Sequence, residues 1–202
     1  MYSKAGSLVL GFHGCDESIR DLVVSGKENL KKSQNDYDWL GHGFYFWENN
    51  PERANNWATQ LTKKPKSKIK KPAVLGAIID LGYCLDFLNN RNITLLTEAY
   101  KNLSEINTQL NLPIPINKTY GDSIDLVQRF LDCSVIESIH QMNKELGKDD
   151  FDSVRGVFFE GEEVYPSAGF KTGNHIQICV RNPNCIKAYF LPREREMTFN
   201  IP

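Results

Sequence analysis

The chain lacks the sequence features of secreted, membrane-spanning and disulfide-stabilised proteins. None of its apolar runs approaches the roughly 18 residues that a transmembrane helix requires. Residues 1–10 carry a single lysine and a short apolar patch, so no signal peptide is expected. Its five cysteines are odd in number, and none are spaced as Cys-x-x-Cys, which favours reduced thiols in a cytoplasmic protein.

An excess of charge of either sign is also missing. The 24 basic and 25 acidic residues leave a formal net charge of −1, and 41% of the residues are hydrophobic, as in ordinary globular proteins. Bulk charge therefore indicates neither a membrane nor a nucleic-acid partner. Locally, residues 63–71 contain six lysines. This segment predicts a mobile, solvated loop or, alternatively, a patch that contacts phosphates.

The length of 202 residues predicts one domain, with strands towards both ends and helices in the middle. Because strands and helices do not alternate regularly, a mixed α+β fold is expected rather than a doubly wound parallel sheet. Residues of about 89–150 are expected to form a helical insertion. The predicted strands are 7–13, 44–47, 73–81, 157–159, 176–180 and 186–190, and the predicted helices are 17–25, 51–61, 93–110 and 124–146.

Three short stretches, each on or beside a predicted strand, carry residues suited to chemistry. Residues 12–14 (Phe-His-Gly) end the first strand. Residues 41–46 (Gly-His-Gly-Phe-Tyr-Phe) lead into 50–57 (Asn-Pro-Glu-Arg-Ala-Asn-Asn-Trp), where Asn and Pro are typical of a helix start. Residues 175–180 (His-Ile-Gln-Ile-Cys-Val) form a late strand. Each stretch alone has a structural explanation, and only their order indicates a function.

In that order, the three stretches resemble the H-Y-E class of ADP-ribosyltransferases, the diphtheria-toxin and poly(ADP-ribose) polymerase type. In this class a strand ends in His-Gly, a Gly-x-Gly-apolar-Tyr-Phe strand precedes a helix with Ala-Asn, and a late strand begins with a catalytic Glu. The resemblance covers residues 8–60, 73–88 and 155–191 and leaves 89–150 without a counterpart. It implies split, mixed or antiparallel sheets, packed with a cleft between them, and flanking helices.

The activity implied by the resemblance consumes NAD⁺ as a co-substrate, without a metal. Nicotinamide would be released, and ADP-ribose would be transferred to a macromolecular acceptor, protein or nucleic acid. The reaction breaks a C–N glycosidic bond through an oxocarbenium-like state, as glycoside hydrolysis does. Analogy with small members of the class suggests a bacterial toxin or phage-defence effector, with a neutralising partner protein if it is a toxin.

The resemblance also implies roles for individual residues. Gly14 would bind the carboxamide through its backbone, because a residue without a side chain permits close approach. His13 would contact a hydroxyl of the adenosine ribose, and Tyr45 would stack on nicotinamide. The second aromatic position falls nearest Asn56, so Trp57 is expected to supply it after a slight register change. Further cofactor-binding residues expected on this strand and helix are Phe46 and Arg53.

Gln177 is the main departure from the class, because it stands where the catalytic Glu is usual. It would keep the hydrogen bond to the 2′-hydroxyl of the nicotinamide ribose but lacks the charge that stabilises the cation. Three explanations stay open: Gln supports a slower transfer, a carboxylate of Glu160, Glu162 or Glu163 supplies the charge, or catalysis is weak. Many members of the class have an acceptor-selecting Glu or Gln two residues before the catalytic position. This chain has His175 there, which leaves the acceptor open.

Two functions of other classes remain compatible with the sequence. The missing Glu allows a non-catalytic module that binds NAD⁺ or ADP-ribose. The lysines between Lys63 and Lys71 allow a nucleic-acid-binding protein. A zinc site is not expected, because His13, His42, His175 and Cys179 lack ligand spacing.

Overall fold

The computed structural model describes residues 8–121 and 123–200, which form one seven-stranded sheet flanked by four helices. Residues 1–7 lie outside the described residues. Two predictions fall on them: the absence of a signal peptide, which concerned residues 1–10, and the start of the first strand at residue 7. The strands are β1 (Val9–Asp16), β2 (Phe44–Glu48), β3 (Pro72–Ile79), β4 (Cys84–Asp86), β5 (Ser153–Phe158), β6 (His175–Val180) and β7 (Ile186–Phe190).

The strand order across the sheet is β4-β5-β6-β2-β1-β3-β7. Neighbouring strands are antiparallel except for β4 and β5. The helices are α1 (Glu17–Val24), α2 (Pro51–Thr62), α3 (Asn90–Gln109) and α4 (Phe130–Glu145). The mixed α+β class is therefore confirmed. None of the described helices has the length and apolar character needed to cross a membrane.

The hydrophobic core has two main parts, one on each face of the sheet. The first is built largely from β3 and β6 and is closed by α1. The second lies where α3 and α4 pack together over β5 and the end of β6. Both helices belong to the stretch 89–150, so this stretch forms a layer over one half of the sheet.

The sheet is weakest between β1 and β2. These strands pair at only two positions, Gly11 with Glu48 and Phe12 with Trp47, whereas β1 and β3 pair at eight. Beyond Phe12 the strands are connected by a side chain: Nδ1 of the His13 ring lies 2.8 Å from the carbonyl oxygen of Tyr45. The two separate packed sheets expected from the resemblance are therefore wrong for the described residues, which form one sheet with an incompletely paired centre.

Helix α2 begins where the sequence predicts because its first turn is capped locally. The side chain of Asn50 accepts a hydrogen bond of 2.9 Å from the backbone N–H of Arg53, and Pro51 occupies the first turn. Proline has no N–H to leave unpaired at this position, and its fixed φ suits a helix. This cap sets the direction in which α2 leaves β2.

Helix α4 begins at Phe130, six residues later than predicted. Backbone hydrogen bonds of 2.8 and 3.0 Å join Lys118 and Gln128, which holds the preceding residues in a loop. The side chain of Asn117 then accepts a hydrogen bond of 2.9 Å from the backbone N–H of Leu131. These contacts, between residues ten or more positions apart, compete with the helix that local periodicity predicts.

The lysine-rich segment lies between α2 and β3, and its six lysines are all exposed. The backbone N–H groups of Lys70 and Lys71 donate to the carboxylate of Asp16 at 2.8 and 3.0 Å. These bonds lower the pKa of Asp16 well below its usual range. The end of this segment is thereby held beside the end of β1, three residues beyond His13.

Replacing Gly14 with alanine should destabilise the protein by about 1–3 kcal/mol, the usual cost of overpacking. An added Cβ would lie 2.1 Å from the backbone oxygen of Ala54 and 3.2 Å from the Cβ of Ala58, both in α2. Gly169→Ala is the matched control, because no atom lies within 4 Å of the place that its new methyl group would take. Urea unfolding measures both variants, and equal midpoints would contradict close packing of α2 on β1.

Candidate functional site

The three stretches singled out in the sequence lie on adjacent strands, β1, β2 and β6. In the register of the sheet, Trp47 is opposite Phe12 on one side and opposite Gln177 on the other. Directly opposed residues project from the same face of a sheet. Phe12, Trp47 and Gln177 therefore form a row across the centre, and this row is the floor of the candidate site.

Helix α2 supplies one wall of the site. The rings of Trp47 and Trp57 are 5.5 Å apart between centroids, and the guanidinium of Arg53 lies 5.9 Å from the Trp47 ring centre. Trp57 is half-buried, whereas Asn56 is exposed. Of the two alternatives for the second aromatic position, Trp57 is the one that the helix turns towards the floor.

Tyr45, which was expected to stack on nicotinamide, is held by the protein at both its hydroxyl and its ring. Its hydroxyl donates to the backbone oxygen of Gly41 at 2.6 Å and accepts from the backbone N–H of Leu40 at 2.8 Å. Its ring packs against the second core cluster, and burial raises the pKa of Tyr45. Tyr45 therefore holds the Leu40–Gly41 turn against β2, and its role towards a ligand stays a prediction.

Phe46 was expected to bind the cofactor, and the structure gives it a different environment. Its side chain is fully buried in the first core cluster. Successive residues of a strand face opposite sides of a sheet, so Phe46 points away from the floor that Trp47 occupies. It forms a buried support beneath the site instead, with its ring 6.0 Å from that of His13.

Gly14 lies on the floor side of β1, whereas His13 projects from the other side, beside Phe46. The place where a Gly14 side chain would lie is filled by Ala54 of α2, so packing by the helix already requires glycine there. The ring of His13 lies 6.4 Å from that of Trp57. Burial lowers the pKa of His13, and its Nδ1–H must donate to Tyr45 because a carbonyl can only accept.

Glu160 is brought into the site by two charged or ionisable neighbours. Its Oε2 lies 2.5 Å from Nη2 of Arg53 and 3.4 Å from Nδ1 of His175. The other two carboxylates considered at this loop, Glu162 and Glu163, are exposed. Of the three carboxylates that could supply the missing negative charge, only Glu160 is held beside β6. Its neighbour on that strand is His175, which lies two residues before Gln177.

His175 is enclosed on its other sides by protein. Its side chain has no exposed surface, and its Nδ1 lies 2.7 Å from the backbone oxygen of Gly173. The rings of Trp39 and Phe158 stack near it, with centroids 6.2 and 5.6 Å away. Burial lowers the pKa of His175, although the Glu160 carboxylate opposes this shift.

Trp39 and Arg129 were not among the residues predicted for the site. The guanidinium carbon of Arg129 lies 4.4 Å from the Trp39 ring centre and 5.1 Å from that of Phe158. No local sequence pattern marks such contacts, and Arg129 belongs to the stretch 89–150 that the resemblance does not cover. The loop before α4 carries it to the sheet only in the folded chain.

Several polar atoms in and around the site are buried without a hydrogen-bond partner in the described part of the chain. Each buried polar atom without a partner lowers the stability of the fold by roughly 1–3 kcal/mol. Several such atoms close together therefore indicate a functional role. Three of these atoms are donors and two are acceptors. His175 Nε2 counts as an acceptor because the Gly173 oxygen requires the ring hydrogen on Nδ1. The atoms are Trp47 Nε1, Arg53 Nε, Arg129 Nε, His175 Nε2 and Gln177 Oε1.

Three of the five unpaired atoms are N–H donors of Trp or Arg, which do not ligate a metal ion. Within residues 8–121 and 123–200, no group of three or more His, Cys, Asp or Glu side chains is placed to hold a metal ion. An organic ligand with both donors and acceptors matches the unpaired atoms better. The aromatic pair Trp47 and Trp57 adds a surface for a flat ring.

Comparison with known proteins gives a relative without an assigned activity. The uncharacterized protein MJ0359 of Methanocaldococcus jannaschii is 29% identical over 195 residues, which cover 87% of this chain and 83% of that protein. No family model matches the chain. No solved structure matches it significantly.

The lowered pKa of His13 predicts a specific loss of stability in acid. Above the ordinary histidine value of about 6.5, both folded and unfolded states are neutral at this residue. As pH falls below that value, the unfolded state binds the proton first, so stability declines until the folded pKa is reached.

His13→Gln should therefore flatten the acid limb of the stability profile, by up to about 1.4 kcal/mol per pH unit over that interval. Urea unfolding of both proteins at a series of pH values between about 7 and 5 measures the difference. Parallel profiles for the two proteins would show that His13 is freely protonated in the fold.

Proposed function

We propose that this protein is an NAD⁺-dependent ADP-ribosyltransferase, which releases nicotinamide and transfers ADP-ribose to an acceptor. One observation carries the proposal: residues 12–14, 41–46 and 175–180, far apart in the sequence, lie on three adjacent strands. On the last of these strands, His175 lies beside Glu160, which pairs with Arg53, and both His175 and Gln177 carry a buried unpaired polar atom.

The chemical character of the site supports a dinucleotide as its ligand. The indole rings of Trp47 and Trp57 offer apolar faces for a nicotinamide or adenine ring. The unpaired N–H groups of Trp47 and Arg53 are suited to carboxamide or phosphate oxygens. The unpaired Oε1 of Gln177 is suited to a ribose hydroxyl, the contact expected at this position of the class.

Glu160 provides the negative charge that Gln177 lacks. When the glycosidic bond breaks, its electron pair passes to the pyridinium nitrogen, and nicotinamide leaves as a neutral molecule without an acid. The positive charge moves to the ribose, where a carboxylate of low exposure stabilises it more than one in water would. The Glu160 side chain is 12% exposed and is held by Arg53, which fits this role.

The proposed acceptor is a macromolecule, protein or nucleic acid, and the setting is the cytoplasm. The exposed lysines of residues 63–71 end beside Asp16, at the end of β1, and offer a local basic surface there. A toxin or phage-defence effector, with a neutralising partner protein in the first case, is the biological role proposed by analogy.

A second candidate function is a module that binds NAD⁺ or ADP-ribose with little turnover. The observation that favours it is Gln177, whose amide forms hydrogen bonds but carries no charge. The nucleic-acid-binding alternative depends on the exposed lysines alone. The binding module predicts little nicotinamide release, and the nucleic-acid-binding protein predicts none.

Incubation with NAD⁺ labelled in the adenosine, with and without a cell lysate, separates these functions. Transfer predicts release of nicotinamide and label in macromolecules, and digestion with protease or nuclease then identifies the acceptor class. Saturable binding of NAD⁺ without turnover would support the module. Salt-sensitive binding of RNA or DNA that is lost when the lysines are neutralised, with no effect of NAD⁺, would support the third function.

Gln177→Ala should slow nicotinamide release at least about tenfold, which corresponds to about 1.4 kcal/mol in the barrier. The reason is the loss of the hydrogen bond that positions the ribose. Gln141→Ala, which changes an exposed glutamine of α4, is the matched control and should retain full activity. Chromatographic measurement of nicotinamide compares the two, and equal rates would remove Gln177 from the site.

A further inference from the structure

We propose that His175 is the general base of this site and takes the proton of a hydroxyl acceptor as the acceptor attacks the ribose. This inference rests on the proposed cleavage of NAD⁺. It concerns the second half of the reaction, for which neither Gln177 nor the aromatic floor provides a proton acceptor.

The first reason is the tautomer of the His175 ring. Its Nδ1 lies 2.7 Å from the backbone oxygen of Gly173 and 3.4 Å from Oε2 of Glu160. Both neighbours are acceptors, so the hydrogen must be on Nδ1. The lone pair is consequently on Nε2, a buried atom that has no partner among the described residues.

The second reason is the position of the ring. His175 is the first residue of β6, and Gln177 lies two residues further along the same strand. Residues i and i+2 of a strand face the same side of the sheet. The base and the residue proposed to hold the ribose hydroxyl therefore share a face, as attack on the ribose carbon requires.

The third reason is the balance of charge around the ring. The charged groups that face it are Glu160 from the loop before β6, Arg53 from α2 and Arg129 from the loop before α4. Burial and the two arginines keep the ring neutral before reaction, which is the form a base needs. Glu160 then stabilises the imidazolium that forms, in the way that a carboxylate supports histidine in other catalytic pairs.

The step balances in atoms and charge. The acceptor oxygen forms a bond to C1′ of the ribose as the bond from C1′ to the nicotinamide nitrogen breaks, and the electron pair of that bond neutralises the pyridinium. The proton of the hydroxyl passes to Nε2 of His175. The imidazolium later returns this proton to solvent, and the ring is again neutral.

A histidine base selects the chemical class of the acceptor. A carboxylate acceptor has no proton to lose, and an ammonium or guanidinium must lose one before it can attack. A buried neutral histidine is a poor base for such strongly held protons. A hydroxyl attacks while neutral and becomes acidic as its oxygen bonds to carbon, so it matches a base of this kind.

Azide distinguishes a base from a residue that merely supports the fold, because azide is an anion and attacks without losing a proton. The purified protein and its His175→Gln variant are incubated with NAD⁺ in buffer, where water is the hydroxyl, and in buffer with methanol or sodium azide. In His175→Gln, formation of ADP-ribose and methyl ADP-ribose should fall on the order of a hundredfold. Azide should restore nicotinamide release and yield ADP-ribosyl azide.

Two variants serve as controls, and thermal melting verifies that all variants are folded. Glu162→Gln changes an exposed carboxylate of the same loop and should keep the rates of the unmodified chain. Gln177→Ala should be slow with every nucleophile and gain nothing from azide. The ratio of ADP-ribose to methyl ADP-ribose shows whether water or another hydroxyl is preferred.

Should folded His175→Gln react with water and methanol at the original rate, or stay slow in azide, the assignment of the base is overturned while NAD⁺ cleavage stands. His175→Asn repeats the test with a smaller side chain if His175→Gln does not fold. Absence of nicotinamide release from the unmodified chain, with azide, methanol or lysate, would overturn the proposed function and this inference together.

Discussion

The hydrogen bond from the His13 ring to the Tyr45 carbonyl is the interaction on which the centre of this molecule depends. Backbone pairing between β1 and β2 stops at Phe12, and the side chain of His13 continues the connection at 2.8 Å. The two halves of the sheet are therefore joined in part by a side chain. That arrangement leaves the floor around Trp47 and Gln177 at the place where the strands begin to separate.

The charged groups of the site extend this connection to elements outside the sheet. Arg53 belongs to α2 and Glu160 to the loop before β6, and their ion pair joins the two at 2.5 Å. Removing two charges from water costs free energy that their attraction only partly returns. The pair consequently contributes more to the position of Glu160 beside His175 than to the stability of the fold.

Much of the local structure was predictable from the sequence. The cap at Asn50, the aromatic strand that precedes it and the apolar strand before residue 81 all follow short-range rules, and the structure confirms them within a few residues. The start of α4 was predicted too early, and β4 was not predicted at all. Both depend on partners distant in sequence, Asn117 for the helix and β5 for the strand.

The sequence by itself determined the α+β class, the most regular elements and the order of the three stretches that suggest a transferase. The tertiary structure alone decided which side chains face one another: Trp47, and not Phe46, lies opposite Gln177, and Glu160 is held beside His175. The physical reason is that side-chain direction in a sheet follows strand register, in which a shift of one residue reverses every face. Burial, which sets the pKa of His175, also arises only after distant segments have packed around it.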